Sequence, residues 1–566
     1  MVVRQRNNTE TIPSEVCQGS DSKSSGKAYG FSSSASESGS DTPTNSVSDE
    51  TPRVILGTTT TVTHFAKVAT LPSQTGKKYS SPENESPGEY CATSSTSTKI
   101  IRKSLFKPRV SRLDSRRMFT STNGGRGWYV LFWLAMLCYI VRQFAVNFLE
   151  TGYPIKGSAF PAISEGILEL LVADMVVVSY SFTAFGWQKA ITGGWIQPPD
   201  SMVAYVIQHL NQACLLFGVV VWLLYQEWTW VQTGVLLLHT MVIVMKMHSY
   251  SSSNRELAVT YKKLQELLVI HPDAITQSSQ QQPGDRSPQD VPIASHTPDD
   301  RANVEPVLRT PDEDWNRRAT DLMEALSADE VSYPYNVTLV NFVDYLFVPA
   351  LVYELYYPRI PKIRLGYLVE KICATFGVFA LLHVTFEDYI IPILAEIPRL
   401  NMVMTILELI TPVMICYLLI FYIIFECICN VFAEITRFAD RNFYDDWWNS
   451  TSFDEYSRKW NKPVHYFLLR HIYFYSIDTY RMSRRSATFL TFFLSSCLHE
   501  LVLAMVAGRL RMYLFMLQMA QLPLIYLGRM PLFRRFPVLG NGLFWLGMIS
   551  GPPLLAVLYC RENYLQ

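Results

Sequence analysis

The sequence predicts an all-α, polytopic membrane protein with a disordered N-terminal tail. Hydrophobic residues make up 49% of the 566 residues and charged residues 17%, yet residues 1–125 contain almost no apolar clusters. The rest of the chain contains nine apolar segments near the length of about 20 residues that a helix needs to cross the hydrocarbon core. The formal net charge of +0 gives no electrostatic reason to expect a nucleic-acid partner.

The tail, residues 1–125, is predicted to be disordered and cytosolic. Stretches such as SSSASESGSDTPTNS bury too little apolar surface to offset the entropy cost of ordering them. The tail lacks the short apolar core of a cleavable signal peptide, so we expect the first spanning helix to direct entry into the endoplasmic reticulum membrane. A basic cluster precedes that helix and comprises Arg102, Lys103, Lys107, Arg109, Arg112, Arg116, Arg117 and Arg126.

Residues 126–566 are predicted to form one membrane domain. Its spanning segments are expected at 128–148, 165–186, 202–225, 229–246, 365–386, 402–432, 487–508, 510–528 and 539–560. Because basic residues concentrate in cytosolic flanks, the N-terminus and residues 247–364 and 433–486 are placed in the cytosol. Nine crossings then leave the C-terminus in the lumen. Residues 272–312, rich in Gln, Pro and Asp, are interpreted as a flexible cytosolic linker.

His499 is the sharpest candidate for a functional residue. It lies in SSCLHELVLA, roughly 20 Å along the seventh apolar segment from its cytosolic end. An ionisable residue at that depth is costly unless it has a partner or water, so it is a functional candidate by default. A neutral imidazole takes a proton from a hydroxyl and returns it to a leaving group. The alternative is a structural histidine bonded to a neighbouring helix, as we expect for His383.

The heptapeptide FYDDWWN, residues 443–449, follows the sixth apolar segment and allows two interpretations. Tyr and Trp favour the headgroup boundary, so it is either an interfacial belt, with Asp445 and Asp446 as helix caps, or a structural element. In the second interpretation the two carboxylates, which repel phosphates, hold nearby donors or a loop in place. The positive charges suited to phosphate follow along the chain: Arg458, Lys459, Lys462, Arg470, Arg481, Arg484 and Arg485.

Asn461 and His465 lie between these two features, in RKWNKPVHYFLLRH. Their i, i+4 spacing allows a shared helical face, but Pro463 between them favours a helix that begins near Lys462. A side-chain amide such as that of Asn461 stabilises negative charge that develops on a reacting carbonyl.

These motifs, taken in order, resemble those of a known family. FYDDWWN, the following WNKPVH and the HE pair in a late apolar helix together resemble the membrane-bound O-acyltransferase (MBOAT) superfamily, in its branch of sterol O-acyltransferases and diacylglycerol acyltransferases. The stretches RLGYLVEKICATFG, WWNSTSFDEYSRKWN and MKMHSYSSSN are similar to fungal sterol acyltransferases, whereas AQLPLIYLGR resembles the diacylglycerol type. The resemblance covers most of residues 127–566.

The resemblance implies the MBOAT fold, in which about nine membrane helices enclose a reaction chamber. Acyl-CoA enters from the cytosol and the lipid alcohol from the bilayer. His499 matches the catalytic histidine and Asn461 the asparagine that assists it. Positions near the CoA arm correspond to Tyr456, His465, Tyr473, Arg484 and Ser495. Asp446, Trp447, Trp448 and Asn449 are expected in a cytosolic gate for the CoA tunnel, with Asp445 at the variable position of the motif.

The implied activity is transfer of a long-chain acyl group from acyl-CoA to the 3β-hydroxyl of a sterol, ergosterol-like if the source is fungal. Acyl-CoA is a co-substrate; no cofactor and no metal are expected. The resemblance also implies a homodimer or homotetramer in the endoplasmic reticulum membrane. The alternative within the branch is a diacylglycerol O-acyltransferase. A transporter is a different class that the intramembrane residues Glu169, Asp174 and Glu408 permit, although no repeat symmetry is evident.

Overall fold

The computed structural model describes residues 105–113, 126–155, 166–196, 201–226, 228–270, 311–397, 399–528 and 530–564. The predicted disordered tail lies outside the described residues, apart from 105–113. The predicted linker, 272–312, also lies outside them, apart from its last two residues, which begin a helix.

The described residues are almost entirely helical, in agreement with the predicted fold class. The helices long and apolar enough to cross a membrane begin with α1 (Arg126–Thr151), α2 and α3 (Ile167–Tyr180, Phe182–Thr192), α4 (Met202–Tyr225) and α5 (Trp230–Ile270). The shorter helices α6 (Pro311–Leu326) and α7 (Leu339–Phe347) follow, with a two-stranded hairpin, β1 (Ser327–Ala328) and β2 (Val331–Ser332), between them.

The second half contains the elements that form the candidate site. It comprises α8 (Leu365–Thr385), α9 (Ile391–Ala395), α10 (Met402–Phe421), α11 (Cys429–Ile435), α12 (Phe453–Trp460), α13 (Lys462–Leu468), α14 (Tyr475–Tyr480), α15 (Arg484–Ala507), α16 (Tyr513–Met519), α17 (Gln521–Gly528), α18 (Pro531–Arg535) and α19 (Pro537–Tyr564). π-helical turns at 386–390 and 422–428 continue α8 and α10, and a third at 469–474 joins α13 to α14. Such turns occur frequently at functional sites.

Eight of the nine predicted segments correspond to long apolar helices within the described residues. The segment predicted at 510–528 is different, because it forms the two short helices α16 and α17. Gly508 and Met512 have positive φ angles of 66° and 61°. The backbone leaves the helical conformation at these positions, after α15 ends and before α16 begins. The remaining apolar run, Tyr513–Gly528, is shorter than the other eight helices.

Helix α5 extends beyond its predicted end at residue 246 and continues to Ile270. It packs against α2, α3, α4 and α6 and also against α15, which contains His499. The stretch MKMHSYSSSN lies within this helix rather than in a loop. Buried Lys246 donates hydrogen bonds to the carbonyl oxygens of Tyr345, Val348 and Ala350 at 2.8–2.9 Å and so attaches α5 to the segment after α7.

A buried ion pair joins α8 to the π-helical turn after α10. Lys371 Nζ lies 2.9 Å from Glu426 Oε1, and the two side chains are 1% and 0% exposed. Glu426 also accepts hydrogen bonds from the hydroxyls of Ser111 and Tyr444. The carboxylate is therefore surrounded by donors, which a charge requires when it is removed from water.

Candidate active site

Helix α15 positions His499. The helix begins after Ser483, whose hydroxyl accepts a hydrogen bond from the backbone N–H of Ser486 at 3.1 Å, and it ends at Gly508. N-capping by serine satisfies one of the backbone donors that a helix start leaves free. At a rise of 1.5 Å per residue, His499 lies about 22 Å from the first residue of α15 and about 12 Å from its last.

The hydrogen bond of His499 determines its tautomer. Its Nδ1 lies 2.8 Å from the backbone carbonyl oxygen of Ser495. A carbonyl oxygen only accepts, so Nδ1 carries the proton and, in the neutral ring, Nε2 carries the lone pair. The side chain is exposed, and Nε2 has no hydrogen-bond partner in the part of the chain that the structure describes. The Nε2 lone pair is therefore available to accept a hydrogen bond from a further group.

Glu500, the second residue of the HE pair, has a structural role that the sequence analysis did not assign. Its side chain is 2% exposed and accepts hydrogen bonds from the backbone N–H groups of Met512 and Phe515 at 2.7 and 2.9 Å. The hydroxyl of Tyr559 donates to the same carboxylate at 3.2 Å. Glu500 therefore anchors α15 to the start of α16 and to α19.

The heptapeptide lies directly against the chain that carries Asn461. The backbone N–H of Asp445 donates to the carbonyl oxygen of Lys459 at 2.8 Å, and the N–H of Lys462 donates to the carbonyl oxygen of Phe443 at 3.0 Å. Ion pairs reinforce the contact: Lys462 Nζ is 2.6 Å from Asp445, and Lys459 Nζ is 3.2 Å from Asp446. Both carboxylates hold the turn around Asn461, and neither is available to a phosphate.

These ion pairs lower the pKa of both aspartates. Burial opposes the shift for Asp445, but the hydrogen bond and charge of Lys462, with a smaller contribution from Arg112, outweigh it. For Asp446, Lys459 outweighs burial in the same way. Asp446 precedes the short 3₁₀ turn at 447–449, but its side chain makes no capping hydrogen bond.

The aromatic residues of the heptapeptide pack internally rather than at an exposed belt. Trp447 is 1% exposed and lies 4.8 Å, centroid to centroid, from Trp460 and 6.1 Å from Tyr456. The carbonyl oxygen of Trp448 accepts hydrogen bonds from Asn541 and Trp545 on α19 at 3.0 and 3.1 Å. The heptapeptide thus connects the Asn461 turn to the last helix.

Asn449 is the member of the heptapeptide whose side chain is exposed. Its amide Nδ2 lies 3.5 Å from Asp446, a long hydrogen bond. Of the gate residues expected from the sequence, Asn449 is therefore the one whose side chain is open to a ligand.

Asn461 caps the helix that follows it. Its Oδ1 accepts a hydrogen bond from the N–H of Val464 at 3.2 Å, and α13 begins at Lys462 with Pro463 in its first turn. The prediction of a helix start near Lys462 is confirmed. The cap uses Oδ1, while Nδ2 donates no hydrogen bond to any described residue. The half-buried amide is thus oriented by its oxygen and retains a free donor.

The residues expected near the CoA arm lie in different environments. Burial, with smaller contributions from Arg458 and Lys462, lowers the pKa of His465 to about 4, so its ring is neutral at physiological pH. The hydroxyl of Tyr456 pairs with that of Tyr417 at 2.5 Å. Tyr473 is half-buried in the π-helical turn that packs against α15, and Ser495 supplies the carbonyl that orients His499.

Most of the basic residues predicted for phosphate binding are already paired. Arg458 pairs with Asp454, Lys459 with Asp446 and Glu455, Lys462 with Asp445, and Arg470 with Glu354. Arg481, Arg484 and Arg485 are exposed and form no ion pair or hydrogen bond with the described residues. They lie at the start of α15 and are the members of the predicted set whose charge is not already paired among the described residues.

Comparison with known proteins identifies the family of this chain. Residues 208–561 match the model of the MBOAT, membrane-bound O-acyltransferase family, a range that includes the heptapeptide, Asn461 and His499. The chain belongs to the membrane-bound O-acyltransferase family. The resemblance drawn from the sequence motifs is thereby confirmed, as is the polytopic membrane fold.

Curated relatives of this membrane-bound O-acyltransferase include sterol enzymes. The chain is 35% identical over 455 residues to "Probable sterol O-acyltransferase 2" of Schizosaccharomyces pombe, covering 76% of this chain and 86% of that protein. It is 31% identical over 461 residues to "Sterol O-acyltransferase 2" of Candida albicans, covering 76% and 74%. "Diacylglycerol O-acyltransferase 1" of Dictyostelium discoideum is 37% identical over 241 residues, which cover 41% of this chain.

Proposed function

We propose that this protein transfers a long-chain acyl group from acyl-CoA to the 3β-hydroxyl of a sterol. The coverage of the relatives carries the proposal, because the similarity to sterol enzymes extends over 76% of the chain and that to the diacylglycerol enzyme over 41%. Acyl-CoA is a co-substrate in this reaction, which requires no further cofactor. The family places the reaction in a membrane, and we propose the endoplasmic reticulum membrane with the N-terminus and residues 433–486 in the cytosol.

The proposed mechanism assigns the chemistry to His499. Its Nε2 takes the proton of the sterol hydroxyl as the oxygen attacks the thioester carbonyl, and the resulting imidazolium gives that proton to the departing CoA thiolate. The C–O bond of the ester forms and the C–S bond breaks, so no net proton is released. The Nδ1–H bond to the carbonyl of Ser495 stabilises the ring in both protonation states.

Asn461 is proposed to stabilise the tetrahedral oxyanion through its free Nδ2 donor. The π-helical turn that follows α13 packs against α15, so the two elements that carry Asn461 and His499 are joined through it. The position of His499 within a helix long enough to span the membrane is proposed to keep bulk water from the thioester and to orient two hydrophobic substrates beside each other.

The CoA phosphates are proposed to bind Arg481, Arg484 and Arg485. These side chains are free among the described residues, and they surround the start of α15, where the helix dipole adds positive potential. The acyl chain then enters towards His499, about 22 Å farther along the helix. Tyr473 and neutral His465 are proposed to contact the pantetheine arm, and homodimer or homotetramer assembly stays a prediction.

A competition assay tests the proposed substrate. Purified full-length protein in detergent receives labelled oleoyl-CoA together with equimolar sterol and diacylglycerol, and the labelled esters are separated. We expect steryl ester to be the main product. Predominant triacylglycerol would support the diacylglycerol enzyme instead, and the absence of either ester, with intact labelled oleoyl-CoA, would contradict an acyltransferase that acts on these alcohols.

Substitution of Asn461 separates its two roles. Asn461→Asp retains a capping oxygen but replaces the free amide donor with an anionic oxygen, so we expect thermal stability close to the wild type and esterification reduced by about 100-fold. Asn461→Ala loses both roles and is expected to lower the free energy of unfolding by about 1 kcal/mol as well. Measurement of kcat, KM and melting temperature distinguishes them. Wild-type kcat in Asn461→Asp would exclude the oxyanion role.

A further inference from the structure

The described part of the N-terminal tail, residues 105–113, forms a strap across the membrane domain. The guanidinium of Arg109 makes two hydrogen bonds to the carboxylate of Asp440, at 3.0 and 2.6 Å. The backbone of Arg109 pairs with the chain on either side of Asp440, at 3.2 and 2.8 Å. The ring of Phe106 packs against Tyr357 and Phe438. From its composition this stretch is predicted to be part of a disordered tail with a basic cluster, whereas in the structure it is hydrogen-bonded to the membrane domain.

Ser111 is the most deeply buried residue of the strap. Its side chain is 1% exposed, and its hydroxyl donates to Glu426 at 2.5 Å. Glu426 is the carboxylate of the buried pair with Lys371 and also accepts from the hydroxyl of Tyr444. The hydroxyl of Ser111 is thus one of three described donors to the Glu426 carboxylate, together with Lys371 and Tyr444.

The strap also contacts the turn that carries Asn461. Arg112 lies 3.2 Å from Asp445, whose other partner, at 2.6 Å, is Lys462. Tyr444, which lies beside Ser111, is the residue before Asp445 in the heptapeptide. Docking of the strap therefore adds an ion pair to the heptapeptide that holds Asn461 in place.

We propose that Ser111 is a phosphorylation site and that its modification holds the strap away from the membrane domain and lowers acyltransferase activity. An ATP-dependent protein kinase supplies the phosphoryl group: the Ser111 Oγ–P bond forms, the bond between the γ-phosphorus and the bridging oxygen of ADP breaks, and the hydroxyl proton passes to the base of the kinase. The flanking arginines, Arg109 and Arg112, suit an arginine-directed kinase with an acidic cleft.

Phosphorylation would release the strap because it replaces the hydroxyl that donates a hydrogen bond to Glu426 with a dianion. Phosphoserine carries about −1.5 to −2 charge at neutral pH and no longer donates to Glu426. The docked position disfavours this negative charge, because the serine oxygen lies 2.5 Å from the carboxylate of Glu426, which is 0% exposed. Kinase reaches Ser111 only in the released strap, so modification traps the released state and shifts the population towards it.

The first experiment measures release of the strap from the membrane domain and does not depend on acyltransferase activity. Full-length protein in detergent is incubated with ATP and an arginine-directed kinase, and phosphate on Ser111 is quantified by mass spectrometry. Asp440→Ala removes the partner of Arg109 but leaves the sequence around Ser111 unchanged, so we expect phosphorylation of Ser111 to be at least about tenfold faster than in the wild type. Asp314→Ala, which removes the two ion pairs of Asp314 with Arg317 and Arg318 on α6, is the control and should match the wild type.

The second experiment connects release to catalysis. Ser111→Glu is expected to expose the bonds after Arg109 and Arg112 to trypsin and to lower esterification several-fold, whereas Thr320→Glu adds the same charge to an exposed position of α6 and changes neither. The effect on esterification rests on the proposed function, but the trypsin and kinase measurements do not, so failure of the two ideas is distinguishable.

Two outcomes would overturn the inference. One is equal phosphorylation of Ser111 in the wild type and Asp440→Ala, since docking would then not control access. The other is unchanged trypsin protection in Ser111→Glu, since a negative charge at the serine would then be compatible with docking. If Ser111→Glu does not assemble, the kinase comparison with Asp440→Ala decides the matter.

Discussion

His499→Ala is expected to reduce steryl ester formation by at least about 100-fold, the lower end of the contribution of a positioned general acid–base group. The imidazole is exposed and, among the residues that the structure describes, is hydrogen-bonded only to the Ser495 carbonyl of its own helix, so its removal opens no cavity in a packed core. We therefore expect normal expression and a melting temperature close to that of the wild type. The measurement is kcat for steryl ester with saturating oleoyl-CoA, beside the melting temperature of the same preparation.

His383→Ala is the matched control for this prediction. His383 also lies in a predicted spanning helix, α8, and is half-buried, and it has no assigned role in the reaction. Its variant is expected to keep kcat close to the wild-type value. Activity of His499→Ala at the wild-type rate would contradict the proposed mechanism, whatever the result with His383.

Lys371→Met is expected to lower the free energy of unfolding by about 3–5 kcal/mol, the usual cost of removing one partner from a buried ion pair. Glu426 would be left as a buried carboxylate with hydroxyl donors but no counter-ion, because Lys371 Nζ at 2.9 Å is its ion-pair partner among the described residues. The measurement is the loss of folded protein on heating in detergent, followed by size-exclusion chromatography.

The double variant Lys371→Met/Glu426→Gln tests the electrostatic cause. Since the neutral amide needs no counter-ion, part of the lost stability is expected to return relative to Lys371→Met alone. Lys362→Met is the control, because Lys362 is an exposed lysine near the start of the same helix. Equal stability of Lys371→Met and Lys362→Met would show that the buried pair contributes little to folding.

The sequence alone predicted the membrane helices well because hydropathy is a local property of each segment. Eight of the nine predicted segments are long apolar helices among the described residues. The exception at 510–528 has apolar composition, but the positive φ angles of Gly508 and Met512 and the division into α16 and α17 depend on backbone geometry. Hydropathy cannot register such a break.

The candidate site was predicted in part. The motif order located His499 and Asn461, and Pro463 predicted the helix start that makes Asn461 a cap. No local pattern indicates that Glu500 anchors α16 and α19, because the groups that donate hydrogen bonds to it lie up to 59 residues away along the chain. The same limit applies to the candidate phosphate ligands. The seven basic residues are equivalent by residue type, and only the ion pairs in the structure distinguish four of them from Arg481, Arg484 and Arg485, which form none with the described residues.

What the sequence determined by itself is therefore the membrane class, the positions of most spanning helices and the candidate residues for the chemistry, since each depends on residue type and short-range spacing. The tertiary structure decided which of those residues are available. Ser111 meets Glu426 across 315 positions of sequence, and Lys371 meets it across 55. Pairings of that kind are selected by the packing of helices and by the cost of a buried charge without a partner, and no local pattern encodes them.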